Sequence, residues 1–396
     1  MIHLSRNVDL APKIKGLETA AANAFDVAFL TANWTAAFSV DSGKKFTAIS
    51  PFDLLKPLGL TFCCDQGVTY EPRINSFLWV LLSTEGPIVM AVASPEQIGD
   101  SKGLSWTIYQ IPPSAFRREN EAFDYPDVSF GDNFVYMTAN LMNKGGALIV
   151  RMPIGDIAAR TTINTRYAFI SDSSFICPAQ LTGERGWFGA MQTASSLRVF
   201  SWRESSLSLE PPFDVPIATV PTDDFHSFTP DAEDWLPDTS KISFEVTGAA
   251  RSGQELWLAW SAGRKISGRP DNAVPQPHIE IAVVNIQTRK LIRQRYIWNP
   301  DFAFAWPSLA ANPAQEVAMS FAWGGGPFYP QHAVGILKGR EDFVSTTSGP
   351  STGSGGHYVR VRMAFPNVNE FVAGGWVAVK DKGKVTNHPH YVVFRS

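Results

Sequence analysis

The sequence predicts an all-β fold, a seven-bladed β-propeller forming a single domain over residues 1–396, with six blades as the runner-up. Three observations lead to this prediction: the composition, a short signature that recurs along the chain, and the short strand-like runs that follow each copy. The chain contains 30 Gly and 28 Pro, is 12% aromatic and only 18% charged. A turn-rich, aromatic-rich and charge-poor composition is typical of β-repeat proteins.

The recurring signature is a Pro or an equivalent residue, a polar residue and then a β-like run. Its copies are Cys64–Val68, Asp124–Val128, Cys177–Leu181, Leu236–Ser240, Ala305–Leu309 and a degenerate His357–Val361. Gaps of roughly 50 to 70 residues leave room for one four-stranded blade and its loops per copy.

Two further apolar or aromatic runs follow the signature copies, bounded by Gly, Pro, Asn or Ser as strands are. The first runs are Phe77–Leu82, Phe134–Thr138, Trp187–Met191, Leu256–Trp260, Val317–Trp323 and Phe371–Val379. The second runs are Ile88–Ala93, Ala147–Met152, Leu197–Trp202, Ile279–Asn285 and Ala333–Leu337. Helical periodicity is scarce, and Pro113–Glu121 and Pro153–Ala159 are expected to form single turns between blades.

The two ends of the chain complete the predicted ring. The block Asp26–Ser50 holds three strand candidates and makes a seventh blade, while His390–Phe394 is a final alternating strand. Pairing strands from both termini in one blade removes the open sheet edges that invite aggregation. In the six-blade alternative, the first block instead completes the last blade.

Charge and hydropathy exclude two classes of partner. The formal net charge is −3, and no Lys/Arg run is long enough to follow a phosphate backbone, so we expect no nucleic acid partner. No apolar run approaches the length of a membrane span. The N-terminus lacks the apolar region of a signal peptide. Our expectation is an extracellular or secreted monomer, with a cytoplasmic location left open.

Three cysteines, Cys63, Cys64 and Cys177, are too few for a disulfide scaffold, and their spacing is not that of a zinc site. Buried free thiols are the favoured interpretation. The alternatives are a disulfide between the adjacent Cys63 and Cys64, or a bridge from Cys177 to either of them.

The segment Ser39–Phe46, between two strand-like runs, has the pattern Ser-x-Asp-x-Gly-x-x-Phe. The Ser39 and Asp41 side chains can satisfy backbone N–H groups within a turn. Gly43 supplies a positive φ angle, and Phe46 then packs back onto the sheet. The segment is therefore predicted to be a hairpin turn.

This pattern is that of the Asp-box, and the chain resembles the sialidase-like (BNR-repeat) superfamily of β-propellers. Asn33-Trp34, Phe62–Gln66, Phe123–Asp127 and Arg151–Pro153 further resemble microbial propeller proteins that mostly lack an assigned activity. The resemblance implies the fold.

The resemblance also implies that Ser39, Asp41, Gly43 and Phe46 are structural residues on the outer edge of a blade. Sialidases carry an Arg-Ile-Pro element ahead of the first Asp-box, an arginine triad and a Tyr–Glu pair. Here no Arg-Ile-Pro precedes Ser39, and Arg73-Ile74 is followed by Asn75. The sialidase reaction is therefore not implied.

Equivalent positions in a propeller converge on one mouth of the central channel, where a few polar groups and aromatics form the default ligand site. If the protein is an enzyme, the catalytic candidates are Asp65, Asp124 and Asp127. The ligand-binding candidates are Gln66, Tyr125, Asp238, Trp306, His357, Tyr358 and Arg360.

Three interpretations of this ring remain open beside a structural one. Paired carboxylates could act on a glycosidic bond, aromatics including Trp235 could stack on sugars, and carboxylates could hold Ca²⁺ in the channel. In the structural interpretation, the Asp residues cap strand starts and join neighbouring blades. No phosphate-binding loop, Gly-x-Ser-x-Gly or His-Glu-x-x-His motif is present.

The function predicted from these observations is carbohydrate or glycoconjugate binding at the channel mouth. A glycoside hydrolase or polysaccharide lyase using the same ring is the alternative. A protein-interaction scaffold is the third.

Overall fold

Seven four-stranded antiparallel sheets make up the molecule, which confirms the all-β, seven-bladed propeller and rejects six blades. The computed structural model describes residues 1–10, 14–222, 224–236, 244–264, 274–337, 342–346, 358–381 and 383–396. None of the helices in these ranges is long and apolar enough to cross a membrane.

In six of the seven blades the strands run in chain order from the innermost to the outermost position. The first three blades are β2 (Ala20–Ala24), β3 (Val27–Ala32), β4 (Thr35–Ser39), β5 (Thr47–Ile49); β6 (Phe62–Glu71), β7 (Ser76–Ser83), β8 (Ile88–Ala93), β9 (Thr107–Ile111); and β10 (Phe123–Phe130), β11 (Phe134–Leu141), β12 (Ala147–Pro153), β13 (Arg166–Ile170).

The next three blades follow the same order. They are β14 (Cys177–Pro178), β15 (Arg185–Thr193), β16 (Ser196–Arg203), β17 (Phe213–Pro216); β18 (Val246–Ser252), β19 (Glu255–Ala262), β20 (His278–Asn285), β21 (Lys290–Ile297); and β22 (Ala303–Ala311), β23 (Val317–Gly325), β24 (Phe328–Ile336), β25 (Asp342–Ser345). The first and second runs predicted to follow the signature copies fall on the second and third strands of the blades, respectively.

The seventh blade closes the ring with both ends of the chain, as predicted. It joins β26 (Arg360–Met363), β27 (Phe371–Asp381) and β28 (Lys384–Arg395) to β1 (His3–Asp9), which forms its outer strand. In this pairing His3 lies opposite Arg395 and Asp9 opposite His390. The outer edge of the last blade is therefore supplied by the first strand of the chain.

Short helices lie in the connections, as expected. They are α1 (Pro51–Leu55), α2 (Pro95–Ser101) and α3 (Ile154–Ala158), with 3₁₀ turns at Lys56–Leu58, Pro72–Ile74 and Pro113–Phe116. The two helical candidates from the sequence correspond to α3 and to the last of these turns.

The second strand of each blade is apolar nearly throughout because each sheet packs against a neighbouring blade on both faces. In β7, for example, Trp79 is fully buried, and Trp202, Trp260 and Trp376 are buried in other blades. These side chains fill the space between adjacent sheets, which holds the blades together.

The seven innermost strands contact one another in the order β2, β6, β10, β14, β18, β22 and β26, and β26 returns to β2. They surround the central channel. Because all blades have the same strand order, all innermost strands begin at one end of the channel and finish at the other. We call the first end, with the blade-to-blade connections and the loops between second and third strands, the start face. We call the opposite end the far face.

Candidate functional site

The sequence signature corresponds to an irregularity at the beginning of the innermost strands. The ladder shifts register between Cys63 and Gln66 in β6, and equivalent shifts occur in β10 and β22. The residue at the same point has a positive φ angle in several blades: Glu18, Cys64, Tyr125, Phe175 and Trp306. Such bulges redirect side chains at the rim of a sheet, so the signature marks where side chains turn toward the channel.

At the start face the bulges bring two carboxyl groups together. The side chains of Asp65 and Glu18 are hydrogen-bonded to each other, and burial together with the Glu18 charge raises the pKa of Asp65 to about 7. The backbone N–H of Tyr125 donates to Asp65 Oδ2 at 3.1 Å, and Asn33 Nδ2 donates to Glu18 Oε2. One carboxyl of this pair therefore carries a proton near neutral pH.

An exposed aromatic pair lies in the adjoining loops. The rings of Trp34 and Phe52 stack with centroids 6.3 Å apart and planes inclined by 12°. Phe62 supports both rings edge-on, although Trp34 is 55% exposed and Phe52 39%. Since Trp34 follows Asn33, which binds Glu18, the aromatic pair lies beside the carboxyl pair.

Exposed aromatics are concentrated on this face. By their places in the chain, the exposed aromatics of the start face are Trp34, Phe228 and Trp298 in loops, Phe52 in α1 and Phe328 at the beginning of β24. Among the described residues, Phe25 is the exposed aromatic at the far face. Glu18, Trp34 and Phe52 were not predicted as site residues, because none of them lies in a signature copy.

Cys63 and Cys64 form a disulfide immediately before Asp65. The favoured prediction of free thiols is therefore wrong for this pair, and so is a bridge to Cys177, which is a buried free thiol. Adjacency in the bulge brings the two sulfur atoms together, whereas Cys177 lies in β14, another blade.

Asp127 holds an ion cluster that crosses the channel. Its Oδ1 accepts hydrogen bonds from Arg360 Nη1 at 2.7 Å and from Arg362 Nη2 at 2.5 Å. Arg360 also lies 5.3 Å from the ring centroids of both Tyr125 and Tyr358. Burial raises the pKa of both tyrosines. The structure thus brings together five predicted site residues, Asp65, Tyr125, Asp127, Tyr358 and Arg360.

The other predicted site residues are placed differently. Gln66 is buried and binds Trp79 Nε1, Ala32 O and Thr35 O. Trp306 is buried between Trp235 and Trp376. Asp124 is half-buried at the start of β10. Asp238 and His357 lie outside the described residues, and their predicted roles stay predictions.

The predicted hairpin turn at Ser39–Phe46, whose sequence has the Asp-box pattern, is present between β4 and β5, at the outer part of the far face. Ser39 Oγ accepts from the N–H groups of Asp41 and Gly43 and donates to Asp41 Oδ1. Asp41 Oδ1 in turn accepts from the N–H groups of Lys44 and Lys45.

Two further residues of the turn behave as predicted. Gly43 has a φ angle of 75°, and Phe46 packs on Tyr391 with ring centroids 5.2 Å apart. A Cβ at Gly43 would lie 2.4 Å from the Tyr391 ring, so glycine is required by space as well as by φ.

A cavity of about 420 Å³ lies at the far face, where the innermost strands finish. Its lining includes Glu71, Arg73, Arg251 and Arg362. No cluster of three or more His, Cys, Asp or Glu side chains suited to a metal occurs in the described ranges. Calcium in the channel stays a prediction.

No protein-family model and no curated protein matches the chain. Among solved structures, it is similar to BP39L lectin from Burkholderia pseudomallei, with a TM-score of 0.51, 12% identity and coverage of 95% of this chain and 96% of the lectin. The NanB sialidase from Streptococcus pneumoniae gives a TM-score of 0.47 at 8% identity, covering 80% of this chain and 67% of that one. Polysaccharide lyase Uly1 gives 0.46 at 10% identity, covering 98% and 90%. At these identities the likeness shows the fold alone.

Proposed function

We propose that this protein binds a carbohydrate or glycoconjugate at the start face. The observation that carries the proposal is the exposed Trp34–Phe52 stack beside the Glu18–Asp65 carboxyl pair. Aromatic faces present a flat apolar surface to the C–H faces of a sugar ring. The one proton of the pair lies in the hydrogen bond between Asp65 and Glu18, and the remaining carboxyl oxygens offer acceptors to sugar hydroxyls.

The exposed aromatics elsewhere on the start face extend this surface. Phe228 and Trp298 lie in loops and Phe328 begins β24, all away from the first blade, so a glycan longer than one sugar could contact several of them. The lectin with the same architecture supports the proposal through its fold only.

The test is a glycan array followed by calorimetric titration of the best ligand. Trp34→Ala should weaken binding at least about tenfold, because a stacked aromatic anchor contributes more than 1.4 kcal/mol. Phe25→Ala, which removes an exposed aromatic at the far face, is the matched control and should leave the affinity unchanged. Equal affinities for the wild type and Trp34→Ala would contradict the proposal.

The Asp65 proton supports a second candidate, a glycoside hydrolase or polysaccharide lyase. A carboxyl group with a pKa of about 7 suits a general acid at neutral pH. However, Glu18 and Asp65 share a hydrogen bond, whereas the two carboxyl groups of a retaining glycosidase are about 5 Å apart. Since the pair acts as one acid, we favour binding over hydrolysis.

Product assays separate the two candidates. Glycans retained by the wild type are assayed for new reducing ends and for unsaturated products. Turnover that is lost in Asp65→Asn and retained in Asp132→Asn, an exposed carboxylate at the far face, would establish the enzyme. Binding without turnover would establish the lectin-like role. Absence of both would leave a protein-interaction scaffold.

A further inference from the structure

The far-face cavity is separate from the site proposed above. It is formed by the last residues of the innermost strands and the turns that follow them, and the Asp127 ion cluster lies between it and the start face. Its volume of about 420 Å³ falls within the range of small-molecule sites. It therefore offers a concave surface on the channel axis, apart from the start face.

Positive charge exceeds negative charge in the cavity wall. Arg73, Arg251 and Arg362 line it together with the carboxylates of Glu71 and Asp132. Glu71 is already occupied, because both of its oxygens accept from the Arg73 guanidinium at 2.6 and 2.7 Å. Asp132 is exposed. Because Arg73 and Glu71 pair with each other, the guanidinium groups of Arg251 and Arg362 are the main remaining charges of the cavity wall.

Arg251 has no carboxylate partner in the described part of the chain. Its guanidinium donates to the carbonyl oxygens of Gly253 and Thr182. A Cβ at Gly183, which has a φ angle of 73°, would lie 2.7 Å from Arg251 Nη1. The glycine thus lets the guanidinium lie against the turn, where it carries an uncompensated charge.

Arg362 provides the second positive charge of the cavity wall. Its side chain is only 6% exposed, and it shares the single carboxylate of Asp127 with Arg360. Its Nε is buried and has no hydrogen-bond partner among the described residues. Arg362 therefore contributes positive charge to the cavity wall.

Apolar side chains complete the wall. Tyr70 and Phe365 contact each other with ring centroids 5.5 Å apart, and Phe130 and Met363 lie in the same lining. The cavity thus combines apolar and aromatic side chains with guanidinium groups. A ring-shaped polar molecule that bears a carboxylate matches both features.

We propose that the far-face cavity is a binding site for a carboxylate-bearing sugar of the uronic acid class. Its carboxylate pairs with Arg251 and approaches Arg362, and its ring packs on the Tyr70 and Phe365 side. The site goes beyond the function proposed for the start face and does not depend on it.

The test is calorimetric titration of the full chain with sodium D-glucuronate and, in parallel, with D-glucose. We expect glucuronate to bind and glucose to bind at least about tenfold more weakly, because a charge-assisted pair is lost. Arg251→Gln should weaken glucuronate binding at least about tenfold and Arg251→Lys less. Gln315→Glu, which adds a negative charge at the exposed rim, should also weaken it.

Arg118→Gln is the matched control, since Arg118 is also half-buried but stacks on Phe169 away from the cavity. It should leave glucuronate affinity unchanged, and circular dichroism should show all variants folded. The proposal is overturned if the wild type does not bind glucuronate, if glucose binds equally well, or if Arg251→Gln and Gln315→Glu bind like the wild type. Loss of glucuronate binding in Trp34→Ala with retention in Arg251→Gln would also overturn it, and would assign that ligand to the start face.

Discussion

The two ends of the channel are built from the same strands but differ in chemistry. At the start face, bulges turn carboxyl and aromatic side chains inward, and the center is filled by Tyr125, Tyr358 and Trp306. At the far face the strands end without such bulges around an open cavity lined by guanidinium groups. The difference shows that a repeat fold can carry two distinct surfaces, because the residues at the beginning and at the end of each innermost strand vary independently.

Asp127 is the element that separates the two ends, and its removal is expected to have the largest effect. Asp127→Asn leaves Arg360 and Arg362 buried without a counter-charge, which should lower the free energy of unfolding by about 3–5 kcal/mol. Urea denaturation measures the change. Asp132→Asn at the exposed rim is the control and should change stability by less than about 0.5 kcal/mol. Equal stabilities of the two variants would show that the arginines do not need Asp127.

The carboxyl pair should give the start face a pH dependence. Folding raises the pKa of Asp65 from 3.8 to about 7, so the folded state binds an extra proton between these values. Its contribution is fully present below the lower value and is lost as the pH rises through the upper one. From pH 5 to pH 8 the free energy of unfolding should therefore fall by roughly 2–3 kcal/mol through Asp65.

Comparison of urea midpoints for the wild type and Asp65→Asn at several pH values isolates the contribution of Asp65 to the pH dependence of stability. Burial also raises the pKa of Glu245, to about 8, so part of this fall in stability should persist in Asp65→Asn and become smaller when Glu245→Gln is added. If Asp65→Asn keeps the full slope of the wild type, Asp65 does not share a proton with Glu18.

The Asp-box turn provides a test that should affect neither end of the channel. Ser39→Ala removes the acceptor for two backbone N–H groups and should cost about 1–2 kcal/mol of stability. Binding at both faces should be unchanged, because the turn lies at the outer part of its blade. A measured loss of affinity at either face would show that the turn has a role beyond stability.

The smallest expected effect comes from reducing the disulfide. The bridge between Cys63 and Cys64 links adjacent residues, so it restricts the unfolded chain little and should contribute only about 1 kcal/mol. Denaturation with and without a reductant measures this. Because Asp65 follows directly, reduction should alter ligand affinity at the start face but not at the far face. Equal changes at both faces would point to a global effect.

The fold could be predicted because its signals are local and repeated. The signature copies, the apolar second strands such as Phe77–Leu82, and the Ser39–Phe46 turn each reflect short-range constraints. The candidate site could be predicted only in part. Asp65 lies in a signature copy, but Glu18 is brought beside it only by the packing of two neighbouring blades.

The sequence also does not show which of the polar and aromatic side chains in the signature copies are buried. Trp306 and Gln66 occupy signature positions, yet both side chains are buried and already contact other residues of the protein. Arg251 and Arg362, which lie at strand ends, belong to no recurring pattern and were not singled out. Whether a repeated polar residue faces a ligand or a neighbouring blade depends on packing across the channel, which no local pattern encodes.

The pairing of β1 with β28 also determines how the molecule would respond to mechanical tension. His3 lies opposite Arg395, so any segments attached at the two ends would leave from adjacent points of one sheet. A pull between them would open the β1–β28 ladder one hydrogen bond at a time rather than loading all of its bonds together in shear. The propeller would therefore open at low force and from this seam first, whereas a pull applied across two other blades would meet paired strands on every side.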